Sequence, residues 1–181
     1  MATEWIDIVD TTVKIGLGAL ISGLTTYYVT VTKNDHEKEK ESKLLQRDLI
    51  IQATNYADEY FDYTYHYYSL LSGVVEARNE FEFEKEDWEE AQKSILQVEK
   101  EISDARKNIY AAQSKLELLG LREPAQYLAS FKSGSEELRK YYTLNEKNAP
   151  TSDFLQNWAN KYIPIKNEFR NSLSTIFMNL I

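Results

Sequence analysis

His66 stands four residues after Asp62. That spacing puts both side chains on one helix face and lets them reach one metal ion. Asp58 and Glu59 lie just upstream. A stable site needs three or four ligands, and a di-iron bundle needs Glu-x-x-His on two helices. No Glu-x-x-His occurs in the chain, so no metal is assigned. His36, the only other histidine, sits in a run of alternating charge and reads as a solvated side chain. With no cysteine at all, disulfides, thiolate zinc sites and a cysteine nucleophile are excluded. There is no glycine-rich phosphate loop and no G-x-S-x-G elbow. Residues 80–90 hold seven carboxylates against one lysine, but as consecutive residues they read as a solvated acidic face. Late in the chain, Arg170-Asn171-Ser-Leu-Ser-Thr175 pairs a cation and an amide with a hydroxyl four residues on. Threonine cannot exchange a proton at neutral pH as histidine does. No catalytic residue and no cofactor is assigned, and the chain reads as a non-enzyme.

The elements that would carry these residues begin with a candidate membrane span. Residues 13–31 form one stretch about as long as a bilayer-crossing helix requires. The chain starts acidic, with Glu4, Asp7 and Asp10, and lacks a small-residue cleavage site, so a retained anchor is expected rather than a signal peptide. Lys33, Lys38, Lys40, Lys43 and Arg47 follow the span, against Lys14 alone at its N-terminal end. This asymmetry predicts a single pass with the N-terminus outside and the bulk in the cytoplasm. Trp5, Tyr27 and Tyr28 bracket the span as interfacial aromatics do. Gly16, Ala19 and Gly23 recur at helical spacing and predict a smooth packing face. Lys14, Gly18, Ser22 and Thr25 share a neighbouring polar face, a candidate pore lining. A lone span has no partner in its own chain, so the expected partners are lipid and further copies of itself.

Beyond the span the chain is polar, with few glycines and prolines, which favours long helices. The expected division is tail and membrane helix over residues 1–32, a charged helical stalk over 33–44, and a helical bundle over 45–181. Glu39 and Lys43 have the i,i+4 spacing that supports a helix in the stalk. A tyrosine-laden face then follows: Leu45, Leu49, Gln52, Tyr56, Tyr60, Tyr63, Tyr67, Leu70 and Val74. Gly73 and the acidic run mark a first turn. From Trp88 an unbroken heptad runs through Ile95, Ile102, Ile109 and Leu116, with Gly120 as its C-terminal cap. Pro124 opens a third helix at its first position, with a break expected near Gly134. A turn at 145–151 leads to a fourth helix capped by Thr151 or Ser152 and kinked at Pro164. The fold class is all-α: one N-terminal transmembrane helix followed by an up-down bundle of about four long helices. The formal charge of −8 disfavours general nucleic-acid binding.

The Arg170-Asn171-x-x-x-Thr175 string resembles the R-N-x-x-x-H signature of HEPN domains, helical bundles many of which are ribonucleases. Threonine stands where that family has histidine, so the resemblance implies a non-catalytic relative. In size and order of elements the chain resembles the small membrane pore proteins of type VI-B CRISPR operons and other single-span helical effectors of bacterial antiviral defence. That resemblance implies an oligomeric pore in the inner membrane, answering a cytoplasmic protein or signal of a defence system. Two other readings stand beside it: a membrane-tethered adaptor that docks a partner through its bundle, and a HEPN-type ribonuclease.

Overall fold

The structure, a computed structural model, describes the backbone of residues 2–81 and 83–178. It describes the side chains of 22–33, 36–81 and 83–178. Four α-helices account for most of it: α1, Ala2–Glu80; α2, Lys85–Leu118; α3, Arg122–Leu138; and α4, Ser152–Met178. A single 3-10 turn, Arg139–Tyr141, follows α3, and the described residues contain no strand. The chain divides into two units, Met1–Leu45 and Gln46–Ile181.

The first unit is helical throughout its described residues. Its charged run is held by i,i+4 pairs, Lys43 to Glu39 at 3.2 Å and Lys33 to Glu37 at 4.0 Å.

In the second unit the rest of α1 packs with α2, α3 and α4 as a bundle. α2 buries the heptad stripe read from the sequence: Ile95, Val98, Ile102, Ala105, Ile109, Ala112 and Leu116. Its start is fixed by the Asp87 carboxylate, which accepts the Glu84 N–H at 2.9 Å. Its end is a complete Schellman motif. Gly120 takes φ +73°, Leu121 N–H reaches Leu116 C=O at 2.8 Å, and Gly120 N–H reaches Glu117 C=O at 2.9 Å. Glycine reaches this left-handed conformation without a Cβ clash. Thr151, not Ser152, caps α4: its hydroxyl accepts the Phe154 N–H at 3.2 Å. α4 runs on through Pro164 and buries Leu155, Trp158, Tyr162, Ile165, Phe169 and Leu173.

Four expectations are corrected. Gly73 makes no turn; α1 continues to Glu80 and the connection falls at residues 81–84. Pro124 is the third helical residue of α3, not the first. It loses nothing there, because the first-turn N–H groups have no intrahelical acceptor. α3 is unbroken at Gly134; the glycine is there so that α4 can approach, since a Cβ would lie 2.5 Å from the Tyr162 ring. Finally, the buried stripe of α1 is Ile50, Ala53, Ala57, Tyr60, Phe61, Thr64, Tyr67, Leu71 and Val75. Most of it lies one residue on from the predicted face. Tyr56, Tyr63, Leu70 and Val74 are left half-buried against the core. Small residues at 53 and 57 let neighbouring helices close on α1, which the bulky tyrosines on the adjacent ridge would prevent.

Candidate functional site

Lys14, Gly16, Gly18 and Ala19 lie outside the residues whose side chains are described. The rest of the predicted membrane face is visible from Ser22 onward. Leu24, Tyr27, Tyr28 and Val29 are each more than half exposed, and Val31 is 40% exposed. Nothing within the described first unit covers them. A Cβ added to Gly23 would have nothing within 4 Å. The Thr30 hydroxyl donates to Thr26 C=O and the Thr32 hydroxyl to Tyr28 C=O, each at 2.8 Å. These threonines satisfy themselves on their own helix, so they tolerate lipid as well as water. Among the described residues no helix is long and apolar enough to cross a membrane; the side chains of residues 13–21 of the expected span lie outside those described.

The second candidate lies on the seam between α1 and α4. Arg170 grips Asp58 with two donors, Nη2 to Oδ2 at 2.9 Å and Nε to Oδ1 at 3.2 Å. That pairing raises the guanidinium pKa above its ordinary value. One and two turns further along, Lys166 Nζ donates to Asp62 at 2.5 Å and the Tyr65 hydroxyl donates to Ile163 C=O at 3.1 Å. Burial, with Asp62 nearby, pushes the Tyr65 phenol up to about 12. Asn171 and Thr175 are exposed, and the Thr175 hydroxyl donates only to Asn171 C=O, at 3.5 Å. The Arg170-Asn171-Thr175 string is therefore not gathered into a catalytic cluster. Its arginine is a helix clasp, and no imidazole stands beside it. Of the Asp62–His66 pair, Asp62 is bonded to Lys166 and His66 is exposed. Among the described residues no group of three or more His, Cys, Asp and Glu could hold a metal ion.

Two arrangements escaped the sequence reading. A polar layer crosses the core: the buried Thr64 and Ser135 hydroxyls meet at 3.1 Å, beside Tyr60 and Tyr67. The hydroxyls of both tyrosines are sealed from solvent without a well-formed hydrogen bond. Ser135 is near enough to ease Tyr60 but bonds Thr64; burial raises both phenols above their ordinary value, Tyr67 the more. Arg139 closes the layer, binding Glu99 through Nε at 2.8 Å and Nη2 at 2.5 Å. The threonine at 64 could have been found as part of the second helical stripe in α1. Glu99 and Arg139 carried no such signal. The other arrangement is a groove of about 300 Å³ between α1 and α4, lined mainly by Ile50, Ile51, Leu173 and Phe177, with Arg170 at one side.

No protein-family model, no curated protein and no solved structure matches this chain.

Proposed function

We propose that this protein is a single-pass inner-membrane effector that assembles with copies of itself through α1 and forms a pore, acting in bacterial antiviral defence. One observation carries the reading. Large apolar side chains between Leu24 and Val31 stand exposed with no cover in their own unit: Leu24, Tyr27, Tyr28 and Val31 on one helix face and Val29 turned away from it. Contiguous exposed apolar surface of this kind marks a membrane or subunit contact. In the proposed assembly the small side chains Gly16, Ala19 and Gly23 form the packing face, and Lys14, Gly18, Ser22 and Thr25 face the passage. The bundle lies in the cytoplasm, where it receives a protein or signal. No step of this reading uses catalysis.

The adaptor reading rests on a different surface. Phe81 is 69% exposed and Tyr142 51% exposed, near a hollow that includes Phe83, Trp88 and Leu144. In that reading the span is a passive tether.

The test is the mass of full-length protein in mild detergent, corrected for bound detergent, with Gly23→Leu beside it. A Cβ added at Gly23 would meet nothing within 4 Å, so a larger side chain there is a probe of association rather than of packing in its own unit. The expected outcome is a discrete ring of several copies that Gly23→Leu reduces to smaller species with unchanged helicity. A wild-type monomer at high protein-to-detergent ratio removes the pore reading and leaves the adaptor.

A further inference from the structure

We infer that the groove between α1 and α4 is a binding site for a single short acyl chain ending in a carboxylate. The inference stands apart from the pore reading, because every residue it uses belongs to the second unit.

The groove's walls come from two helices. Ile50 and Leu173 form a buried floor, Ile51 is 38% exposed at the rim, and Phe177 is half-buried at one end. At about 300 Å³ it sits at the small end of ligand pockets, which run roughly from 300 to 1,000 Å³. That space suits one narrow apolar body and is too small for a two-chain lipid.

Charge decides the head group. Arg47 lies over the Phe177 ring, 5.6 Å from its centre, and has no ion-pair partner among the described residues. Neither Arg47 nor its neighbour Asp48 belongs to the lining; Arg47 stands at the groove's mouth through its contact with Phe177, which does line it. Arg170 lines the groove and is half exposed. Asp58 occupies two of its donors, and a guanidinium has five. The Thr54 and Ser174 hydroxyls already donate to Ile50 C=O and Asn171 C=O, so toward a ligand they can only accept. The groove therefore combines an apolar channel with spare cationic donors of Arg170 at its side, and Arg47, without an ion pair among the described residues, stands over the Phe177 ring at its mouth. A carboxylate on a flexible apolar chain answers both features. A neutral chain answers only the first.

Decanoic acid bearing a chain diazirine tests this on the full-length protein in amphipol, with the matching diazirine decanol as the neutral control. After irradiation, adducts are mapped by peptide mass spectrometry. Adducts are expected on the segments 50–55 and 173–177, with the acid labelling them about fivefold more than the alcohol, as a partly exposed ion pair allows. Arg47→Gln should abolish that preference. Ser174→Trp, at an exposed position, should fill the groove and remove these adducts, with circular dichroism unchanged. Equal labelling by acid and alcohol overturns the carboxylate. Absence of adducts from both segments, or their persistence in Ser174→Trp, overturns the site. Labelling within 13–31 serves as the internal reference, and its pattern has no bearing on the groove.

Discussion

At residue scale, Gly134 shows how one missing side chain sets a helix contact. A Cβ there would meet Tyr162 ring atoms at 2.5, 2.6 and 2.8 Å. Beside it the Trp158 indole N–H donates to Gly134 C=O at 2.8 Å, and the Tyr162 hydroxyl reaches Glu137 at 2.7 Å. The Tyr162 ring is thus held at its hydroxyl and packed against Trp158, and cannot swing aside cheaply. Gly134→Ala is expected to lower stability by about 1–3 kcal/mol, the usual range for overpacking, although alanine favours a helix. Urea unfolding measures the loss. Combining it with Tyr162→Leu should recover part of it, a non-additivity that marks direct contact. In the sequence Gly134 looked like a helix break, because a glycine's local cost is legible there and the neighbour that justifies it is not. Gly120 was legible for the opposite reason: it follows the last residue of a clean apolar period, where a left-handed cap is needed.

At the scale of elements, periodicity located α2 and α4 almost residue by residue, since each has one apolar stripe and a polar remainder. α1 has two adjacent stripes of helical spacing, one rich in tyrosine and one mixing Ala53, Ala57 and Thr64 with Phe61 and Leu71. A pattern weighted by hydrophobic bulk selects the first. Close packing selects the second, because small residues bring backbones together. Two of the ion pairs that join the elements of the bundle differ in standing. Arg139 and Glu99 leave 16% and 21% of their side chains exposed, whereas Arg106 and Glu136 leave 42% and 47%. Glu99→Gln should strand a guanidinium beside Tyr60 and Tyr67 and cost about 1–3 kcal/mol. Glu136→Gln should cost no more than about 1 kcal/mol, as exposed pairs do. A pair of urea titrations distinguishes them, and equal losses would show that the core layer does not depend on the Glu99 charge.

At the scale of the whole molecule, thirteen tyrosines in 181 residues give the bundle an alkaline limit. Burial raises the Tyr60 and Tyr67 phenols above 10 and pushes Tyr65 up to about 12. A phenol whose pKa is higher in the folded state stabilises that state fully below pH 10. As pH rises the unfolded chain loses its protons first and the stabilisation drains away. The urea midpoint should therefore hold to about pH 9 and fall between about pH 10 and 12, with a shallower fall in Tyr65→Phe. A flat profile to pH 12 would mean these phenols are as open to solvent as those of the unfolded chain. The membrane proposal, by contrast, rests on composition and charge asymmetry, which are legible in the sequence alone; contacts within one chain carry no information about lipid or a second copy. The α3–α4 contact has one more consequence. Of three tryptophans, Trp158 is sealed in the core, bonded to Gly134 and stacked 5.2 Å from Tyr68. Trp88 is half-buried against Phe83 at the start of α2. Two of the three indoles thus sit in different described surroundings: a blue-shifted emitter, Trp158, that reports when α3 and α4 part, and a redder one, Trp88, that reports on the acidic turn.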